Sequence, residues 1–398
     1  MNSGGPTGSG AQQLLYLDAS AGAPPAEAVL EAMAAASRTA WANPSSLHGY
    51  GLAAADSLER SRRELAAQLG AEAEQLTFCS GGTEAAHLAL LGAAAAMPPG
   101  RLLISAVEHP AVAAAAERLI GGGWTLERLP VDHLGRLRLD RLEDLLEPPT
   151  RLVSVIWGQS EVGTLQPLQA IGERCRQAGV ILHSDAVQVV GHRPIDFASM
   201  PLDLLTVTAH KLQGPRGIGA LLARPGLVLR PMIAGGGQEG GLRSGTEPVV
   251  LAAGFAQALQ LAQQRLELHA GHDPLEPWRD HLLQALLALG GVELTGCPLE
   301  RLPHHLSVVV RDRAGRPLSG RRLVQALWRQ GLAVSSGSAC QGGRAGGSPV
   351  LQAMGYEPEL AASGLRLSLG PWLCQEQLES VPERFERARQ AVAAGQLG

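Results

Sequence analysis

Leu204-Leu-Thr-Val-Thr-Ala-His-Lys211 is the stretch that decides the fold, because a run suited to a buried strand leads directly into a histidine and a lysine. Lys211 is the single lysine in a chain with 33 basic residues, and arginine supplies all the others. An ε-amine can lose its proton and attack a carbonyl carbon, whereas a guanidinium stays charged. The stretch therefore predicts a strand that ends in reactive chemistry; the alternative is chance in an arginine-biased sequence.

Short apolar runs followed by polar groups recur along the first half of the chain. The predicted strands are 76–79, 101–105, 151–157, 180–184, 204–208 and 219–223, and helical patterns occupy 111–120, 139–146 and 168–178. Strands that alternate with helices indicate an α/β fold with a largely parallel sheet. Open α/β sheets bind ligands at the carboxyl ends of their strands, and that is where His109, Asp185 and Lys211 fall.

The turn Ser80-Gly-Gly-Thr-Glu84 lies between a strand and an apolar helix. Free backbone N–H groups and the positive end of the helix dipole would point into this turn, and Thr83 adds a hydroxyl, so a phosphate fits there. The turn lacks the Gly-Lys-Ser/Thr of a nucleotide P-loop and the third glycine of a dinucleotide fingerprint. A glycine needed only for a tight turn is the alternative.

The length of 398 residues and the 45% apolar content fit two domains. Residues 1–13 read as a flexible tail, 14–262 as a large domain, and 263–398 as a smaller α+β domain, because short strands among helices follow the bend at 271–277. The first ordered residues are candidates for packing on the small domain.

Composition excludes several classes of protein. The net charge of −4 and the absence of basic runs argue against nucleic-acid binding, and no apolar run reaches membrane-spanning length. The N-terminus does not resemble a signal peptide, so a cytoplasmic protein is expected. Five cysteines without CxxC spacing predict neither disulfides nor a metal site. We expect four of them to be buried: Cys79, Cys175, Cys297 and Cys374.

Cys340 differs from the other cysteines, because its neighbours in Ser335–Gly347 are Ser, Gly, Gln and Arg. That composition cannot form a core and predicts a thiol on a mobile, solvated loop. An exposed free thiol is a liability unless it is used, so a reactive role and an inert one remain equally open from composition alone.

Four groups at strand ends match the four features by which a protein recognises pyridoxal 5'-phosphate (PLP). The aldehyde needs a lysine, the pyridine nitrogen a carboxylate, the phosphate a cradle of donors, and the ring face a stacking partner. Lys211, Asp185, the turn at Gly82-Thr83 with Thr208 and His210, and His109 supply them in that order.

These segments also carry a family resemblance. The chain resembles the NifS/IscS-type cysteine desulfurases, homodimeric enzymes of the class V aminotransferase family with the PLP-dependent transferase fold type I, whose large domain has a seven-stranded, mainly parallel sheet. The motifs that carry it are Asn43-Pro-Ser-Ser, Ser80-Gly-Gly-Thr-Glu84, Glu108-His109, Ser184-Asp185-Ala-Val-Gln188, His210-Lys211, Arg243-Ser-Gly-Thr246, Ser335-Ser-Gly-Ser-Ala-Cys340 and Leu365-Arg366-Leu-Ser-Leu-Gly370.

The resemblance implies a role for each matching residue. L-cysteine would be converted to alanine while Cys340, as the nucleophile, takes the sulfur as a persulfide and passes it to an acceptor protein, for iron–sulfur cluster or thio-cofactor assembly. Arg366, with Asn43 as a helper, would bind the substrate carboxylate, and Thr246 would reach the cofactor phosphate of the partner subunit. Lys211 and His109 would share in catalysis, and the cofactor-binding set would be Gly82, Thr83, His109, Ser160, Asp185, Gln188, Thr208, His210, Lys211 and Thr246.

Departures from the family pattern keep alternatives open. Ser160 stands where the family usually has asparagine, and Gln238 and Gly240 replace a customary histidine and arginine. A selenocysteine lyase or a cystine C–S lyase of the same fold is one alternative, and a non-catalytic, partner-binding paralogue is another.

Overall fold

The computed structural model describes residues 13–337 and 347–396. Cys340 lies outside these ranges, as does the predicted tail apart from Gln13. The strands are β1 Leu15–Tyr16, β2 Leu76–Cys79, β3 Arg101–Ser105, β4 Thr125–Leu129, β5 Thr150–Ile156, β6 Ile181–Asp185, β7 Leu204–Thr208, β8 Gly219–Ala223, β9 Val292–Leu294, β10 His305–Val310, β11 Leu332–Ala333, β12 Ser335–Ser336 and β13 Gly364–Ser368. The helices are α1 Glu27–Thr39, α2 Gly49–Gln68, α3 Gly82–His87, α4 Pro110–Ile120, α5 Leu139–Leu145, α6 Leu168–Gln177, α7 Val249–Leu268, α8 Leu275–Leu287, α9 Gly320–Arg329, α10 Pro349–Ala353, α11 Pro358–Ala361, α12 Gln375–Glu379 and α13 Val381–Ala393.

The larger core is built on a seven-stranded sheet with the order β2-β8-β7-β6-β5-β3-β4. Strand β8 runs antiparallel to both of its neighbours, and the other pairs are parallel. The prediction of an α/β fold with a mainly parallel seven-stranded sheet is confirmed. The sequence did not indicate β4, because only one of the five residues of this edge strand is buried and it lacks the continuous apolar run of a buried parallel strand.

The sheet brings the carboxyl ends of six strands to one edge. Strands β3, β4, β5, β6 and β7 are parallel, and β2 points the same way because β8 is antiparallel to both β2 and β7. Gly219 opens β8 at this edge, where a Cβ would lie 2.8 Å from the carbonyl carbon of Gly81. A glycine at 219 thus lets the turn after β2 pack directly against the sheet.

The smaller core surrounds an antiparallel sheet with the order β12-β13-β10-β9. Strand β1 pairs with β11, and Leu15 and Leu17 are buried in this core, so the first described residues pack on it. Helix α7 continues without a break through residue 262, where the sequence placed the domain boundary. After Leu17, the next residue along the chain that belongs to the smaller core is Leu275. We therefore place the proposed boundary between the two units at 269–274, since the predicted one falls inside a helix.

Four cysteines are described, and all four are free thiols. Cys79, Cys175 and Cys297 are buried as expected, but the expectation for Cys374 is wrong, since this residue is exposed. Its place in the fold gives the reason: Cys374 is the residue before α12, a short surface helix, and its backbone N–H donates to the Gln377 side chain at 2.9 Å. No helix in the described part of the chain is long and apolar enough to cross a bilayer.

Candidate active site

A cavity of about 470 Å³ lies between the carboxyl edge of the large sheet and the smaller core. The structure brings ten of the predicted site residues to its wall: Gly82, Thr83, His109, Ser160, Asp185, Gln188, Thr208, His210, Lys211 and Arg366. All but Arg366 follow or end strands of the seven-stranded sheet, which explains how residues so far apart in sequence meet.

Lys211 lies in the turn that follows β7. Its ammonium donates to the carbonyl oxygens of Ser20 at 2.5 Å and Ala21 at 2.9 Å. The turn is closed by the Gly214 N–H, which donates to the Ala209 carbonyl at 3.0 Å, and a Cβ at Gly214 would lie 2.7 Å from that same oxygen. The tight turn and the two carbonyls fix the direction in which the amine projects.

Asp185 ends β6 and is buried, with one carboxylate oxygen accepting from the Val187 N–H at 2.9 Å. Burial raises its pKa, while the Val187 hydrogen bond and the positive charges of His109 and Lys211 lower it. An acid in this setting is suited to a cationic partner inside the cavity, since a facing positive charge would stabilise its ionised form.

His109 is the N-cap of α4, and its Nδ1 accepts from the Ala111 N–H at 3.2 Å. The proton of the neutral ring therefore resides on Nε2. Burial lowers the pKa of His109, which Asp185 opposes and Lys211 reinforces. A neutral, oriented imidazole on the cavity wall is suited to stack on a planar ring.

Hydroxyl and backbone donors also line the cavity. Gly82 and Thr83 begin α3, and the Thr208 hydroxyl donates to the Ile218 carbonyl and lies 3.1 Å from Nδ1 of His210. Burial, with the charges of Lys211 and Arg216, lowers the pKa of His210 to about 4. His210 is thus neutral at physiological pH, and an anion here would be met by neutral donors.

Arg366 projects from β13 into the same cavity. Its guanidinium donates to the Ser160 carbonyl at 2.9 Å and to the Asp18 carboxylate at 2.8 Å. The second Asp18 oxygen accepts from the Ser335 hydroxyl at 2.7 Å. Among the described residues, two of the five guanidinium N–H groups are thus engaged, and the buried Nε atom has no partner there. Arginine N–H groups remain for a carboxylate in the cavity.

Two of the predicted residues that the structure describes, Asn43 and Thr246, do not line the cavity. Asn43 is exposed, and its side-chain oxygen accepts from the Ser45 N–H at 2.9 Å. Thr246 is also exposed and does not line the cavity of its own chain. Cys340 lies outside the described residues. The roles expected of these three stay predictions.

The glycine-rich segment 235–246 is anchored rather than loose. Glu239 forms a buried, two-pronged ion pair with Arg62, each N–O distance being 2.7 Å, and also accepts from the Phe78 N–H at 2.7 Å. The Arg243 guanidinium donates to the Glu84 carboxylate at 2.9 Å. These contacts fasten the segment beside the turn at Gly82-Thr83.

Two groups that hold side chains of the cavity wall were missed from the sequence. The Ser20 carbonyl accepts from both Lys211 and Gln188, the latter at 2.9 Å, and Asp18 holds Arg366. Both reach the site because β1 joins the smaller core through β11. A short apolar run before a polar turn was the signal that could have indicated a strand end here.

The residues present fit PLP. The cavity volume lies within the range of cofactor sites, and its wall places an amine, a buried carboxyl, a neutral imidazole and phosphate donors around one space. The described residues include no cluster of three or more His, Cys, Asp or Glu side chains able to hold a metal ion.

Comparison with known proteins agrees with this fit. The model of the aminotransferase class-V family matches residues 15–381. A cysteine desulfurase of Cereibacter sphaeroides is 39% identical over 373 residues, which cover 93% of this chain and 94% of that protein. The cysteine desulfurase IscS of Methanosarcina thermophila is 35% identical over 381 residues, covering 94% and 93%.

Solved structures give the same result. A NifS-like protein superposes with a TM-score of 0.86 at 30% identity, covering 96% of this chain and all of its own. The NifS-like protein of Rickettsia africae has a TM-score of 0.84 at 28% identity, with 95% of this chain covered. The chain therefore belongs to the class V aminotransferase family of PLP-dependent enzymes, alongside the NifS/IscS-type cysteine desulfurases.

Proposed function

We propose that this protein is a cysteine desulfurase, which converts L-cysteine and the Cys340 thiol to L-alanine and a Cys340 persulfide. The observation that carries the proposal is the single cavity that joins Lys211, Asp185 and Arg366. The persulfide sulfur would pass to an acceptor protein, for iron–sulfur cluster or thio-cofactor assembly. The names of the relatives support this function.

Different residues of the cavity wall would hold different parts of the cofactor. When bound, PLP supplies a ring that accepts the electron pair left at the substrate Cα. Lys211 would hold the cofactor carbonyl carbon and would move the proton at the substrate Cα, and Asp185 would keep the ring nitrogen protonated. His109 would stack on the ring face, while Thr83, Thr208 and His210 would hold the phosphate.

Arg366 orients the substrate by binding its carboxylate with the N–H groups that Ser160 and Asp18 leave free. The Cys340 thiolate attacks the substrate sulfur, so that an S–S bond forms as the Cβ–S bond breaks. The substrate carbon keeps the bonding electron pair and, with added protons, becomes alanine. No external oxidant or reductant is needed, because the transferred sulfur is formally oxidised as the S–S bond forms and Cβ is reduced by the electron pair it keeps.

We also propose a homodimer in which Thr246 contacts the cofactor phosphate of the partner. Thr246 is exposed on a segment anchored by Glu239 and Arg243, so it is presented outward in a fixed position. Exposed apolar side chains provide a surface for the second copy: Leu47 is 92% exposed, Trp41 64% and Tyr50 65%. A reducing location, the cytoplasm, suits the free cysteines.

The test is turnover of L-cysteine by purified, PLP-loaded protein. We expect equal amounts of alanine and sulfide in the presence of a thiol, and loss of both in a Cys340→Ser variant. Full activity in that variant would refute the role of Cys340. A selenocysteine lyase would prefer selenocysteine, and a cystine lyase would release pyruvate without Cys340. A non-catalytic paralogue would stay colourless with added PLP.

A further inference from the structure

The turn 159–163 has two functional faces. It is held rigidly, because the Gln159 side-chain oxygen accepts from the backbone N–H groups of Glu161 at 2.5 Å and Val162 at 2.9 Å. Ser160 lines the cavity, and its carbonyl holds Arg366. The next side chain, Glu161, does not line the cavity and packs against a different part of the chain.

Glu161 contacts the chain at two points that are close to Cys340 in sequence. A Cβ at Gly337 would overlap Oε1 of Glu161, so the carboxyl group occupies the space that a side chain at 337 would need. The hydroxyl of Ser348 is hydrogen-bonded to Glu161 and accepts from the Leu351 N–H at 3.0 Å, which starts α10. Gly337 and Ser348 lie on either side of residues 338–346.

Burial of the Glu161 carboxyl group has an unfavourable free energy. The group is buried, and Oε1 has no hydrogen-bond partner among the residues that the structure describes. Burial raises the pKa of Glu161 to about 7, although Ser348 and the positive charge of Arg366 lower it. Glutamine would fill the same space without the cost of a desolvated charge, so the acid points to a use for its charge or its proton.

We propose that Glu161 is a positioning residue for sulfur transfer, which fixes the chain at Gly337 and Ser348 relative to Arg366. The two faces of turn 159–163 connect the substrate-carboxylate site to the chain on both sides of residues 338–346. Glu161 does not touch the substrate. Its loss slows the transfer of sulfur to Cys340 more than it weakens the binding of L-cysteine. This inference rests on the proposed desulfurase function.

The test compares PLP-loaded Glu161→Gln and Ser348→Ala variants with wild type and with Glu359→Gln, an exposed control on α11. Single-turnover persulfide formation on Cys340 is followed by alkylation and mass spectrometry, alongside the KM for L-cysteine. We expect both test variants to form persulfide at least about tenfold more slowly, since small misplacements of reacting groups have costs of this size. KM should stay within about twofold of wild type.

The pH profile separates positioning from a merely structural role. Arg366 on β13 is the charged group that acts on Glu161 among the described residues. The rate of persulfide formation by the wild type should change between pH 6 and 8. This pH dependence should be lost in Glu161→Gln but kept in Glu359→Gln. Ser348→Ala is the smaller perturbation, and it keeps the test informative if Glu161→Gln does not fold.

The outcomes are distinguishable from failure of the proposed function. A wild-type protein that forms no alanine or persulfide refutes the desulfurase function itself. With an active wild type, the positioning role is refuted if both variants keep the wild-type rate and pH profile. It is also refuted if rate, cofactor content and thermal stability fall together, because that pattern belongs to a structural residue.

Discussion

Replacing Glu161 with glutamine should stabilise the protein at alkaline pH. Burial holds the pKa of Glu161 at about 7, against an ordinary 4.5. The folded state therefore keeps a proton that the unfolded chain has lost between those values, and stability falls as the pH rises through this window. Glutamine is neutral at every pH and escapes this loss.

The size of the effect follows from the two pKa values. The difference between 4.5 and about 7 corresponds to roughly 3 kcal/mol of folding free energy above pH 7, at 1.36 kcal/mol for each pH unit. At pH 5 most of this loss has not yet occurred. The stability of Glu161→Gln relative to wild type should therefore rise by about 2 to 3 kcal/mol between pH 5 and pH 8.

Urea unfolding of the PLP-loaded proteins at pH 5, 6, 7 and 8 measures this change. The comparison uses the pH dependence of the free energy of unfolding, because a fixed cost of burying the amide would change this free energy equally at all four pH values. The exposed control Glu359→Gln should run parallel to wild type. A difference between Glu161→Gln and wild type that stayed constant with pH, or that turned against the variant at pH 8, would refute the assignment of a buried, mostly protonated acid.

Other variants test the remaining parts of the site. Glu239→Gln breaks the buried pair with Arg62 and should destabilise the protein by about 3 to 5 kcal/mol, measured by urea unfolding. Arg366→Lys keeps the charge but loses the planar fork, so KM for L-cysteine should rise at least about tenfold with cofactor absorbance unchanged. Asp185→Asn should lower kcat at least about 100-fold while PLP stays bound, because the ring nitrogen loses its anionic partner.

The strand ends were predictable because their signals are local. An apolar run, a polar residue and a helix start lie within a dozen residues of one another at Thr83 and at His109, and an apolar run ends directly at Asp185. A parallel sheet places the carboxyl ends of its strands at one edge whatever the order of the strands. The side chains that follow those ends are therefore brought together. Lys211 was conspicuous for a separate reason, being the single lysine.

Contacts set by tertiary pairing could not be predicted in this way. Arg62 and Glu239 are 177 residues apart, and Asp18 and Arg366 are 348 apart. In neither pair does the local sequence around one residue indicate which residue is its partner, and arginine is common throughout this chain. The burial of Glu161 could not be predicted for the same reason, because Gly337 and Ser348 approach it only in the folded protein.

The serine at position 160 acts on the site mainly through its backbone. The Ser160 carbonyl accepts from Arg366 at 2.9 Å and lies 3.1 Å from Nε2 of His305. Burial and the charges of Arg366 and Arg301 lower the pKa of His305, so the ring is neutral and carries its proton on Nε2 to donate this bond. Any residue at 160 would supply the same carbonyl. The departure from asparagine therefore leaves the orientation of Arg366 intact, and its effect is confined to the space that the longer amide would fill on the cofactor side of the cavity.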